Sequence, residues 1–239
     1  MEYSPVRQYV SPDKVRSLLP PFFKASYAQH DCTELARNLL DLIEVDAKKR
    51  DQPAQFNLTQ KWFEGKTVKE TMCQTCNTKT ERSENFVDLS VNFGKENNLE
   101  AMIVDSLADE VLNDEDNLFF CDTCDCKVPS AVRAHRVVSS PHYLLVTLNR
   151  FYYDKASQSM SKIMTNVDVP LRLEMPSAYK LKSVVIHAGK SAGYGHYYAA
   201  GVEQGKWRLF NDFKVSDIAS PKPQESMNID QPQLDFADQ

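Results

Sequence analysis

Gly193-Tyr194-Gly195-His196-Tyr197-Tyr198-Ala199, followed by Trp207-Arg208-Leu209-Phe210-Asn211-Asp212, is the stretch on which the reading of this chain turns. A histidine flanked by small and aromatic residues stands at the end of one predicted strand, Tyr197–Glu203. An Asn-Asp pair closes the next, Lys206–Phe210. Neighbouring strands of a sheet can present a catalytic base and the residue that orients it in this way. If Asn211 or Asp212 engages one imidazole nitrogen, it sets the tautomer and leaves the other nitrogen to take a proton from a thiol. A lone histidine is more often structural. His30, at the head of a helix, is the weaker candidate, and His135, His142 and His187 read as strand or loop positions.

Upstream of this stretch the chain is helical first and β-rich afterwards. Ser11-Pro12 predicts a helix start with Ser as N-cap, and Leu18-Leu19-Pro20-Pro21 predicts its end. Asp31 followed by Glu34 reads as a variant capping box, and Leu35, Leu39, Leu42 and Ile43 trace one helical face to about Val45. Residues 51–59 are polar and read as a loop. Phe86–Phe93 alternates with period two, as a half-buried strand does. A helix is expected over Leu99–Leu112, then strands over Ala131–Ser139, Tyr143–Phe151 and Tyr179–Ala188. Residues 219–239 are polar and acidic, and a disordered tail is expected there.

The chain has 239 residues, 42% hydrophobic and 26% charged, which suits a folded domain with a sizeable core. A formal net charge of −5 gives no general nucleic-acid footprint. No apolar run approaches the roughly eighteen residues of a membrane span, so no membrane partner is expected. The first residues, Met1-Glu2-Tyr3-Ser4-Pro5, lack the basic-then-apolar pattern of a signal peptide. Six cysteines without a secretory signal point to reduced thiols or metal ligands, and to a cytoplasmic or nuclear protein.

Four of those cysteines form two C-x2-C knuckles, Cys73-Gln74-Thr75-Cys76 and Cys121-Asp122-Thr123-Cys124. A two-residue gap lets both thiolates of a knuckle face one ion, and two knuckles complete a tetrahedral zinc site. The separation exceeds the roughly fifteen to twenty residues of a compact zinc ribbon, so further elements must lie between the knuckles. A structural Zn²⁺ held by Cys73, Cys76, Cys121 and Cys124 is closed and therefore not catalytic. The alternatives are two reduced, metal-free pairs or a disulfide. Cys126, beside the second knuckle, reads as a bystander.

Together these words resemble the ubiquitin-specific proteases, the papain-like cysteine deubiquitinases. The resemblance runs from about Tyr9 to Ile218. It is carried by Gln29-His30-Asp31-Cys32-Thr33-Glu34-Leu35, Trp62-Phe63-Glu64-Gly65, Phe86-Val87-Asp88-Leu89-Ser90-Val91, Leu144–Phe151 and the histidine stretch, in the family's order and spacing. It implies an α+β, papain-like hand. Residues 1–50 would be a remnant of the thumb, 62–140 zinc-tipped fingers, and 141–218 the palm with the histidine. The resemblance makes His196 the general base, Asn211 its orienting residue and Asp212 an alternative or supporting partner. Gly193, Tyr194 and Gly195 would border the channel for the Gly-Gly tail of ubiquitin. The implied reaction is thiol attack on the carbonyl after that tail, an acyl-enzyme, and its hydrolysis. Ubiquitin and ubiquitinated proteins are the implied partners.

The resemblance also has gaps. Family members carry the nucleophile in a Gly-x-Thr-Cys box on a helix N-terminus. This chain is expected to begin downstream of that box, with the N-terminal part of the thumb missing, and so to be inactive in this form. Cys32 is the one cysteine away from the knuckles, but it occupies a position that packs inside the thumb. The family's closing aromatic-x-Leu-x-Tyr strand finds no match after Ser220. A non-catalytic ubiquitin-binding scaffold that reuses the fold is the alternative function, and a zinc-stabilised structural module the third.

Overall fold

A computed structural model of the chain describes residues 11–24, 30–50, 57–174, 177–191, 193–219 and the backbone of 226–228. The described part of the fold is α+β. Two short helices, α1 (Asp13–Leu18) and α2 (Pro21–Lys24), precede the long α3 (Cys32–Lys49) and the short α4 (Leu58–Trp62). Strands β1 (Gly65–Cys73), β2 (Lys79–Phe86) and β3 (Asp88–Val91) lead into α5 (Leu99–Ser106). There follow β4 (Glu110–Leu112), β5 (Phe120–Cys121), β6 (Cys126–Lys127), β7 (Ala131–Ser139), β8 (Leu145–Leu148), β9 (Phe151–Asp154) and β10 (Ser159–Lys162). The last strands are β11 (Asp168–Pro170), β12 (Arg172–Leu173), β13 (Tyr179–Lys180), β14 (Ser183–Ser191), β15 (Tyr194–Glu203), β16 (Lys206–Asn211), β17 (Lys214–Asp217) and β18 (Ser226–Asn228). Among the described residues no helix is long and apolar enough to cross a membrane.

Two four-stranded antiparallel sheets carry the candidate sites. One has the order β2-β1-β7-β4, the other β14-β15-β16-β17. Between them β3 and β8 form a parallel pair, and α5 packs on it. Asn98 caps α5 by accepting from the amides of Glu100 and Ala101. The helix then buries Leu99, Met102 and Ile103 against Val91, Val167, Val169, Leu173 and Ile186. Each fully buried side chain of this kind contributes about 1.5–3 kcal/mol.

Helix α3 begins where its cap predicts, since Asp31 Oδ1 accepts from the amides of Thr33 at 2.8 Å and Glu34 at 2.9 Å. It continues past Val45 to Lys49, supported by the i,i+4 ion pairs Glu44–Lys48 and Asp46–Arg50. Its apolar stripe is poorly covered. Leu40 alone is buried, while Ile43 and Val45 are exposed. Polar anchors hold the helix instead. Arg37 bonds the Asp88 carboxylate at 2.6 Å, Thr147 Oγ1 donates to the same carboxylate at 3.1 Å, and the Thr33 and Thr147 hydroxyls lie 3.0 Å apart.

Several boundaries differ from the sequence expectation, each for a physical reason. Helix α1 starts one residue late, at Asp13, with Pro12 as the cap residue and no side-chain capping bond. The Phe86–Phe93 strand is split at Val87, because Phe86 ends the pairing with β1 while Asp88 opens a parallel pairing with β8. The Leu99–Leu112 helix stops at Ser106, and Glu110–Leu112 pairs with β7 instead. The Tyr143–Phe151 strand begins at Leu145 and breaks at Asn149-Arg150, where the Arg150 guanidinium turns inward to the carbonyls of Ile163 and Thr165. The polar 51–59 stretch ends in the start of α4, while 51–56 lie outside the described residues. Within the tail expected to be disordered, Ser226–Asn228 pairs with Asp168–Pro170. The rest of the tail beyond Ile218 and Ala219 is outside the described residues.

Candidate active site and metal centre

The thiol centre forms where the far end of the first sheet meets the β5–β6 hairpin. β1 delivers Cys73 and the turn into β2 delivers Cys76. That turn is closed by the bonds Cys73 N to Thr78 O and Asn77 N to Cys73 O. The hairpin brings Cys121 and Cys124. All four sulfurs lie within 4.8 Å of one another. Cys73 and Cys124 are 3.9 Å apart, Cys76 and Cys121 3.6 Å. A tetrahedron with metal–sulfur bonds of about 2.3 Å has edges of about 3.8 Å, so the four could hold one metal ion. Cys73, Cys121, Leu112, Val128 and Ala131 form a small core around it.

Two of the four thiols are shifted in opposite directions. Hydrogen bonding with Thr78 holds Cys76 down at about 6, whereas the bond with Cys76, and then burial, push Cys124 above the ordinary thiol range. Crowded thiols do not all ionise together unless a cation shares the charge. Directly after each knuckle a residue takes the left-handed backbone, Asn77 at φ 59° and Asp125 at φ 52°. Asn and Asp are the side-chain residues that accept this conformation most readily. That recurrence was a legible signal that the motif reading did not use.

The second site sits at the end of the other sheet. β15 carries His196 and β16 ends on Asn211, and the imidazole Nε2 lies 2.6 Å from Asn211 Oδ1. With the amide oxygen accepting, Nε2 holds the proton and Nδ1 keeps its lone pair. Asp212 follows in a tight turn at φ 50°, with its carboxylate 3.9 Å from the same nitrogen. The ring of His196 stacks on Tyr198, two residues along the same strand face. The chain therefore brings His196 and Asn211, the two side chains paired in the motif, into hydrogen-bond contact.

The family model for ubiquitin carboxyl-terminal hydrolase (UCH) matches residues 2–234. The chain belongs to the ubiquitin carboxyl-terminal hydrolase family. Among its relatives is ubiquitin carboxyl-terminal hydrolase 48 of Gallus gallus, 30% identical over 213 residues, which covers 84% of this chain and 20% of that protein. Ubiquitin carboxyl-terminal hydrolase 4 of Arabidopsis thaliana is 31% identical over 166 residues, covering 66% and 45% respectively. The Danio rerio form of hydrolase 48 is 28% identical over 235 residues, covering 94% and 22%. The chain thus spans less than half the length of these curated relatives.

The other candidate residues of this family member have varied surroundings. Gly195 is required by packing, because a Cβ there would collide with the His187 ring and sit 2.6 Å from the Ala188 carbonyl. Gly193 has open space around it, and Tyr194 projects almost fully into solvent. Cys32 lies beside the Tyr197 phenol, which burial, and then the neighbouring Cys32 and Asp31, push up to about 12. Tyr197 and His196 are consecutive on a strand, so their side chains leave opposite faces. Burial, and then Asp31, also push the Cys32 thiol up, against the direction a helix N-terminus imposes. His30 packs on Phe22 and Phe23, and His142 on Trp62. Motif reading missed the Arg37–Asp88–Thr147–Thr33 network, which ties α3 to the strands leading to these sites.

Proposed function

We propose that this chain is a ubiquitin-specific cysteine protease domain, acting on the bond after the C-terminal glycine of ubiquitin in ubiquitinated proteins. The observation that carries the reading is the 2.6 Å bond between His196 Nε2 and Asn211 Oδ1. It leaves Nδ1 as the base for a thiol, with Asn211 as the orienting residue and Asp212 in support. Gly193, Tyr194 and Gly195 border the channel for the ubiquitin tail. The architecture is a papain-like hand, with 1–50 in the thumb, 62–140 as fingers and 141–218 as palm. One structural Zn²⁺ on Cys73, Cys76, Cys121 and Cys124 secures the fingertips. The cellular site is the cytoplasm, the nucleus or both.

In this reading His196 has no nucleophile among the six cysteines. Four are in the thiol centre, Cys126 adjoins it, and Cys32 carries a raised pKa on the side of Tyr197. The chain by itself therefore binds ubiquitin without turning it over. An electrophilic ubiquitin probe and calorimetry with free ubiquitin test this together. The expected outcome is micromolar binding and no covalent adduct. An adduct lost in Cys32→Ala overturns the assignment of the thiol. A folded chain that does not bind ubiquitin overturns the ubiquitin reading itself.

A further inference from the structure

The β5–β6 hairpin places a fifth thiol against the metal centre. Its register sets Phe120 opposite Lys127 and Cys121 directly opposite Cys126, and the ladder continues with Val128 N donating to Phe119 O at 2.9 Å. Directly opposed residues of an antiparallel pair share a face, with Cα atoms about 4.5–5.5 Å apart. That falls inside the roughly 4.4–6.8 Å range a disulfide needs. The left-handed Asp125 completes the turn that brings position 126 back across from 121. Of the five cysteines at this end of the molecule, Cys73 and Cys121 are buried, Cys76 and Cys124 half-buried, and Cys126 is exposed. Cys126 is also the one outside the group of four that could share an ion.

We infer that Cys126 is an oxidation site that governs the metal centre. It reacts first with a peroxide and then pairs with Cys121, removing one of the four ligands. Exposure makes it the entry point, because the other four are buried or half-buried and gathered against one another. The Cys126 thiolate attacks one oxygen of hydrogen peroxide, forming a sulfenic acid and releasing hydroxide. The Cys121 thiolate then attacks the sulfenic sulfur, forming the disulfide and releasing a second hydroxide. In sum, two thiolates and one peroxide give one disulfide and two hydroxides. An ion held by the four cysteines would be left with three thiolate ligands, which would weaken its hold. The release step rests on the zinc reading above, whereas the thiol pairing does not.

The experiment uses the full chain and Cys126→Ser, each loaded with zinc, assayed for zinc content and exposed to hydrogen peroxide. A chromogenic indicator follows zinc release, and proteolysis without reductant followed by mass spectrometry maps the crosslinks. The expected result is a Cys121–Cys126 crosslink in the wild-type chain and zinc release at least about tenfold slower in Cys126→Ser. Release at the wild-type rate in Cys126→Ser overturns the inference. So does a map in which Cys126 is never joined to Cys121. A chain that takes up no zinc sinks the zinc reading instead, and the mapped partner of Cys126 then decides the pairing by itself.

Discussion

The thiol centre and the His196–Asn211 pair are both made from β-hairpins and tight turns, yet they face water in opposite ways. Around the thiols, Cys73, Leu112, Val128 and Ala131 have almost no accessible surface. The histidine stands at the open end of its sheet, with Tyr194 83% exposed just before it and Phe213 90% exposed just after Asn211. The contrast is between four sulfurs packed into a small core and an imidazole held by Asn211 at the open end of a sheet. On the proposed function, the first would serve cohesion and the second contact with a substrate.

Cys73→Ala or Cys121→Ala gives the largest expected effect, because each removes one of the four proposed ligands and opens a hole in the same small core. Loss of stoichiometric zinc and of more than about 4 kcal/mol of stability is expected, read from denaturant unfolding with and without a chelator. Identical curves in the two conditions would erase the distinction between the centres. An intermediate effect belongs to Tyr197, which shares a strand with His196 but leaves its opposite face, half-buried against His187. Its folded pKa, about 12, lies above the ordinary value of 10. The unfolded chain therefore loses that proton first as pH rises. The associated stability is fully present below pH 10 and disappears as pH climbs to about 12. Tyr197→Phe should flatten that alkaline fall, as melting curves across this window would show. The smallest effect is expected for His196→Ala and Asn211→Ala, with stability shifts within about 0.5 kcal/mol, as for other exposed positions. A loss comparable to that of the cysteine variants would make the pair a structural clasp.

Both sites were legible as short words because their residues are close in sequence or arrive on neighbouring strands. The C-x2-C knuckles and the His–Asn spacing survive without knowledge of the wider fold. Asp88 shows the limit. In the alternating run Phe86–Phe93 it reads as an ordinary polar-face residue, yet its side chain is only 2% exposed and holds Arg37 of α3. Nothing local announces a partner 51 residues away. Arg150 escaped notice for the same reason, since the carbonyls of Ile163 and Thr165 that accept from it become acceptors only after the chain folds back. Helix and strand boundaries failed where one continuous pattern serves two pairings. Phe86 and Asp88 belong to different sheets, and periodicity cannot mark the change.

The long antiparallel pairing of β1 with β7 joins Gly65–Cys73 to Ala131–Ser139, across every element that lies between the two knuckles. Such non-local pairings make for slow folding, because the chain must lose loop entropy before the strands stabilise one another. An ion captured by one knuckle and then by the other would tie off that loop early. It would bring Cys73 and Ala131, which are register partners, towards the same point. With an ion bound, the thiol centre would have a role in time as well as in space. It can act as the seam at which the sheet closes, setting how quickly the chain passes through its most aggregation-prone, unpaired stage.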